Sequence, residues 1–548
     1  MNNKDTKETN VLAQASILMV AGIITRIIGV LYRSPLTSVI GDEGNGYYGI
    51  AVNIYTMILL VSSYSIPMAV SKVVSSKLAV HQYRNAHKVF KCALMYVLVV
   101  GGIASLITFF GASILIPSNQ PKAIPVLRIL APTIFFSGFL GVFRGYFQAH
   151  GSMIQTSFSQ ILEQILNAVI SILAANLLID LVTSKSTTAQ AIYGAAGSAL
   201  GTGSGVVAAL LFMLFVYAIN RKMIYTRIAK DRHRYVDSYG DILRGMLSTV
   251  TPIIMSTFIY NFSTSFNQTV YSKVMIYARG LSLAQTATSY GIFAGKAMVI
   301  INIPIALASS LSAAMIPTIS ASSALGDQTA TRRKVVNAMW TTMLIAIPSS
   351  VGLAVLAKPI MQLLFPQKDS LDMAAKLLAM IAITVVFYSL STLSNGILQG
   401  IGQVKLPVRN AAIALAVQTV LLVVLLMFTE LDLYALVICL IVYSFMMCVL
   451  NSISVRHCIG VGENFKTMFL MPAIAAAIMG AAAKGTYMGM QLFVSSNIIC
   501  LVPSLLVAVI VYFVAALMIG AVGREQLLNL PKGQLIVRVA EKCHLLRR

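Results

Sequence analysis

IITRIIGVLYRSP, residues 23–35, is the stretch on which the reading of this chain turns. It sets Arg26 and Arg33 inside the first long apolar run. Seven residues apart, they fall on nearly the same face of a helix. At membrane depth such charge is costly, and it marks a functional site by default. Composition decides whether the run lies in a membrane. Of 548 residues 58% are hydrophobic and only 10% charged, with a mean hydropathy of +0.83. A soluble chain carries about 25% charged residues. Apolar runs of about 20 residues recur along the whole length, the mark of spanning helices. The chain therefore reads as an all-α polytopic membrane protein. Its N-terminal MNNKDTKETN is mixed in charge, and the apolar run after it is too long for a cleaved signal.

Segmentation by hydropathy gives about fourteen transmembrane helices, near 11–40, 47–71, 92–116, 126–148, 154–179, 190–219, 243–272, 286–319, 336–357, 374–400, 408–428, 433–455, 467–488 and 497–520. Charge tests the count independently. With the N-terminus inside, and the five basic residues at span ends (Arg128, Arg244, Lys376, Arg409 and Lys484) counted with the adjoining loops, cytoplasmic segments hold 27 of the 40 lysines and arginines, outer segments nine, and the spans four. That bias is the positive-inside rule, with both termini cytoplasmic. It accounts for much of the net charge of +23. The basic residues are dispersed over membrane-adjacent loops, so nucleic acid is not an expected partner; the bilayer is.

The chemistry of a soluble enzyme is missing from the pattern. Six cysteines are scattered without CxxC spacing and read as free thiols. The six histidines form no metal motif, and no GxxxxGK[ST] nucleotide loop occurs. GTGSG at 201–205 lies at helix level with no strand before it and reads as small-residue helix packing. Extramembrane segments stay within about 30 residues, too short for a catalytic domain. No catalytic residue, metal site or cofactor is expected.

The chain also repeats itself. GYFQAHG (145–151) corresponds to GILQGIG (396–402), and HQYRNAHKVF (81–90) to GDQTATRRKV (326–335), at offsets of 251 and 246. One duplication of six spans follows. It predicts an N-lobe over 1–220, a basic cytoplasmic linker over 221–241 and a C-lobe over 242–458. Two added helices occupy 459–520, and an amphipathic cytoplasmic tail 521–548. Because six is even, the lobes should be related by a pseudo-twofold axis along the membrane normal, with a substrate site between them. Pro35, Pro67, Pro132, Pro252, Pro304 and Pro348 in or near the spans are expected to kink helices or free carbonyls.

TRIIGVLYRSPLTSVIGDEGNGYYGI, SIPMAVSKVVSSKLA, ILAPTIFFSGFLGVFRGYFQAHGSM running into SFSQILEQI, and LQGIGQVKLPVRNA together resemble the polysaccharide-exporter branch of the MATE-like (MOP) superfamily. Within that branch the likeness is to lipid II flippases of the MurJ type and the related stage V sporulation proteins. The resemblance implies two six-helix lobes around a V-shaped cavity, two C-terminal helices, and export of undecaprenyl-linked sugars. It also implies cavity cations on helices 1 and 8, where Arg26 and Lys296 stand. LLVSSYSIP in helix 2 departs from the family by carrying no arginine where the resemblance implies a basic pair, so part of the cavity charge is either missing or supplied by Arg33.

Four cations lie in spans, Arg26, Arg33, Arg144 and Lys296, against one carboxylate, Glu163. A cavity of net positive charge suits an anion, and arginine's fork suits phosphate oxygens. Arg144, close to the end of helix 4, fits a lipid phosphate or the interface. Helix 7 adds a polar stripe, Thr257, Asn261, Thr264 and Gln268, fit for sugar hydroxyls or for interhelical hydrogen bonds. Glu163 reads either as the partner of a nearby cation or as the site of a coupling proton or sodium ion. The expected function is the flipping of a lipid-linked oligosaccharide such as lipid II. Substrate contacts would be Arg26, Arg33, Lys296, Arg144, Asn261 and Gln268. The alternative is a proton- or sodium-coupled small-molecule antiporter of the MATE type, which would need more intramembrane carboxylates. A membrane-embedded glycosyl- or phosphotransferase is disfavoured by the scarcity of acidic residues near the inner loops.

Overall fold

A computed structural model describes residues 20–522 except 23, 65, 183–185, 232–236, 325, 366 and 461–465. The tail expected at 521–548 lies almost wholly outside the described residues. Helices account for nearly all of the rest. The first, α1, runs from Val20–Leu31 through Arg33 to a break at Gly41, whose φ of 69° and ψ of 178° suit glycine alone. Helix α2 resumes at residue 42 and ends with Ile66–Ala79. Then follow α3 (Tyr83–Phe110), α4 (Pro121–Ala149), α5 (Met153–Asp180), α6 (Thr187–Ala229) and α7 (Tyr239–Tyr277). Next come α8 (283–324), α9 (Gln328–Val355) and α10, a pair (Lys368–Ile381 and Thr384–Gly400) bent by 46°. The last are α11 (Lys405–Phe428), α12 (Leu433–Ile459), α13 (Lys466–Gln491) and α14 (Asn497–Ile519). Each expected span thus meets a helical segment. Among the described residues eleven helices are long and apolar enough to cross a membrane, or twelve with the bent pair counted as one.

Helix ends follow backbone chemistry more than hydropathy. Helix α6 continues ten residues past its expected end, because Arg221, Lys222 and Arg227 are good helix formers that need no lipid. Two π-helical turns, Leu60–Tyr64 and Lys466–Leu470, each contain the carbonyl four residues before a proline, Pro67 or Pro472. With no N–H at the proline to receive that carbonyl, the helix widens there.

By compactness the chain forms two units. The first runs to Gly295 and includes Ala411–Leu415 and Thr419–Leu433; the second holds Lys296–Asn410, Ala416–Gln418 and the chain from Tyr434. The division falls inside a π-helical turn of α8, Phe293–Ala297. Compactness therefore groups α7 and the start of α8 with the first six helices, a different criterion from the internal repeat.

In the first unit α5 and α6 pack backbone against backbone. Gly197, Gly201 and Gly205 of α6, spaced by four, meet Ala175, Ser171 and Glu163 of α5. GTGSG is thus a packing surface, the route by which helices associate when lipid supplies no hydrophobic drive. The described ends of the basic linker are fastened to the α2–α3 turn. Asp237 pairs with Lys77 and accepts Lys88 Nζ at its carbonyl (2.6 Å), while Asp231 Oδ2 accepts the Arg84 amide (2.7 Å).

In the second unit the one tryptophan, Trp340 on α9, donates from Nε1 to the Ala521 carbonyl just past α14 (3.0 Å), and Tyr512 of α14 donates to Leu344 O (2.8 Å). Both carbonyls would otherwise lack that partner in a nonpolar setting. Trp340→Phe should lower stability by about 1 kcal/mol, the usual net worth of a hydrogen bond. Unfolding in detergent checks this, and an unchanged midpoint would show that the bond contributes nothing.

Candidate functional site

A cavity of about 630 Å³ opens inside the first unit between α2, α4 and α5. Its wall includes Lys72, Arg144, Glu163, Ser63, Ser137 and Gln160. Local sequence puts them together. Helix α4 carries Arg144 five residues before its end, and the turn through Gly151, at φ 74°, reverses the chain into α5. Arg144 Nε then donates to Ser159 Oγ (2.8 Å), and its Nη2 to Glu163 Oε2 (2.7 Å). Ser159 and Glu163 are four apart, so both face the guanidinium. The Ser159 hydroxyl donates to Thr156 O (2.7 Å), which leaves its lone pairs directed to Arg144. The side chains of Arg144 and Glu163 are 14% and 29% exposed, so the pair is shielded on the arginine side and open on the other. Glu163 is thus paired with a cation of the neighbouring helix.

The other cations are placed differently. Arg26 on α1 is exposed. Arg33, half-buried, sits with its guanidinium carbon 5.2 Å from the Tyr48 ring centre, within cation–π range. Tyr48 in turn shares a hydrogen bond with Thr202 of α6 (2.9 Å). Lys296 belongs to the second unit and lies in the π-helical turn of α8. It is 1% exposed, donates to Ser370 Oγ (2.6 Å), and stands 5.8 Å from the Phe365 ring centre.

On α7 the polar stripe divides. Gln268 is buried and accepts Asn53 Nδ2 from α2 at 2.6 Å, while the same Asn53 amide reaches Tyr290 OH of α8 at 2.9 Å. Here the stripe joins helices. Thr264 is exposed, and the side chains of Thr257 and Asn261 lie outside the described residues. Sequence reasoning missed Lys72, assigned to a loop, and the serines and glutamine of the cavity. A signal was present for one of them: Gln160, Glu163, Gln164 and Asn167 line α5 at helical spacing.

Helices in this number, long and apolar enough to span a membrane and joined by short loops, define a multi-pass membrane protein. More narrowly, the chain belongs to the MurJ family: the family model "Lipid II flippase MurJ" matches residues 85–504. Lipid II flippase MurJ of Bacillus subtilis is 25% identical over 530 residues, covering 92% of this chain and 93% of the relative. Stage V sporulation protein B of the same organism is 25% identical over 533 residues, covering 95% and 98%. In fold, the chain is similar to the solved lipid II flippase MurJ in its inward closed conformation. That match has a TM-score of 0.62 at 16% identity and covers 91% of this chain and 97% of that one.

Proposed function

We propose that this protein flips a lipid-linked, undecaprenyl-pyrophosphate oligosaccharide across the cytoplasmic membrane, as lipid II or a related envelope precursor. Family membership over residues 85–504 is the observation that carries this reading. The sign of the charge agrees: four cations stand in the expected spans against one carboxylate, and Arg144 holds that carboxylate. An antiporter of cations would have a single intramembrane acid to work with, already engaged. In the flippase reading Arg26, Arg33 and Lys296 are the candidate contacts to the pyrophosphate, and both termini are cytoplasmic. Asn261 and Gln268 offer polar contacts to sugar, and a proton or sodium gradient supplies the drive. No bond is made or broken, so the protein is a carrier and not an enzyme.

Depletion in cells fed a labelled sugar precursor tests the function: lipid-linked oligosaccharide should accumulate on the inner leaflet. Unchanged lipid-linked pools together with lost efflux of organic cations would replace it by the antiporter. Orientation has its own test. On a cysteine-free background, single cysteines at 180–189 should label from outside, and those at 225–240 only after permeabilisation. Labelling of 225–240 in intact cells would invert the assignment.

A further inference from the structure

In the pair of the first unit the cation has a second anchor besides its anion. Ser159 fixes Arg144 through Nε, and Thr156 fixes the Ser159 hydroxyl. Glu163 is the more exposed member, at 29% against 14%. It can leave while the guanidinium stays aimed into the cavity. Two cations, Arg144 and Lys72, share the wall with this one carboxylate, so the site is one positive charge in excess. Ser63, Ser137 and Gln160 add neutral donors. The volume, about 630 Å³, is that of a small-molecule site.

We propose that this cavity is an anion subsite that takes a phosphate group on Arg144 and Lys72, and that Glu163 occupies the guanidinium until the phosphate displaces it. A carboxylate and a phosphate present the same two-oxygen edge to an arginine fork, so Glu163 is a chemically faithful placeholder. Its presence keeps a buried cation from standing uncompensated when the site is empty. Three helix segments line the site: the second half of α2 with Lys72, the last turns of α4, and Gln160 and Glu163 of α5. The phosphate comes from a lipid headgroup or from a free phosphate ester. The subsite deepens the flippase reading, in which Arg144 is already a candidate contact to a lipid phosphate, but its test reads binding alone, so its failure would leave that reading standing.

The sign of one substitution separates this proposal from a structural ion pair. A structural partner, once removed, leaves the site weaker; a placeholder, once removed, leaves it stronger. Full-length protein in uncharged detergent would be titrated with inorganic phosphate, following heat release and the thermal midpoint. The same protein in phosphatidylcholine nanodiscs would be compared with and without phosphatidylglycerol. Glu163→Gln should tighten phosphate-group binding roughly tenfold, a common size for losing a competing charge contact. Lys72→Gln should weaken it several-fold. The double variant Arg144→Gln, Glu163→Gln strands no partner and so should fold, but should not respond. A response to free phosphate identifies a soluble ester as the ligand class, and one confined to phosphatidylglycerol nanodiscs identifies a lipid headgroup. Unchanged or weaker binding in Glu163→Gln, or a double variant that binds like the natural protein, would overturn the proposal.

Discussion

Gly46→Ala and Gly291→Ala should each strip the membrane of most of this protein, although each adds a single methyl group. Both glycines lie where α2 crosses the first half of α8. A Cβ on Gly46 would sit well inside van der Waals contact of the Ala287 carbonyl oxygen, and one on Gly291 inside that of the Asp42 carbonyl oxygen. In each case the obstacle is backbone in a helix, which cannot rotate away as a side chain can. The two helices must separate, losing contact along the crossing, and overpacking of this kind costs about 1–3 kcal/mol or more. A shift of 1–2 kcal/mol already changes cellular abundance several-fold. The neighbouring Gly49 supplies the control. Its Cβ would meet only the Tyr290 ring at 3.7 Å, an ordinary contact. Gly49→Ala should therefore leave abundance and the detergent unfolding midpoint unchanged, or raise the midpoint slightly through helix propensity. Equal behaviour of all three variants would show that the crossing is looser than described.

Those glycines also mark the limit of what can be read from one chain. Segmentation by hydropathy ends one span at 40 and starts the next at 47, which puts a loop across 41–46. Instead one residue, Gly41, makes the break, and helix resumes at once. Hydropathy reports where lipid ends, whereas the helix ends where backbone hydrogen bonding fails. For the same reason α6 runs on through the first nine residues of the expected linker. The spans themselves were legible because apolar length and loop charge are properties of the sequence alone. Pairings were not. Arg144 and Glu163 could both be recognised as charges at depth, but they lie 19 residues apart across a turn. Only the hairpin brings one to the other. Lys72 was hidden differently. Counting it as a loop residue was sound by charge, and nothing in the sequence says that the end of α2 leans over the α4–α5 hairpin. Gln268 shows the converse: its polar face was evident, but whether it met substrate or another helix rested on Asn53, 215 positions away.

Lys296→Met should leave the protein as stable as before, or more stable, and should abolish rescue of a flippase-depleted strain. The two halves of that expectation oppose each other, which is what makes it informative. The Lys296 side chain is 1% exposed, with its ammonium on the Ser370 hydroxyl and near the face of Phe365. Keeping an ammonium there is unfavourable by several kcal/mol before its partners offset it. Methionine has nearly the same length and volume, fills the space, and removes the charge without opening a void. If the lysine served packing alone, the substitution would be harmless. If it grips the pyrophosphate, transport should fall about a hundredfold or more, in line with the loss of a buried charge contact worth roughly 3 kcal/mol. Lys296→Arg keeps the charge and should retain most activity. Ser370→Ala should have a mild effect, since it removes a partner but not the cation. On α1 the same logic applies to an exposed cation. Arg26→Ala should be neutral for stability and defective in rescue. Arg26→Lys should recover only part of the activity, because a point charge lacks the two-pronged hydrogen bonding. Abundance by immunoblot, the unfolding midpoint in detergent, and growth on depletion are the three readouts. Full growth of the Arg26→Ala, Lys296→Met double variant at normal abundance would remove both cations from the transport mechanism.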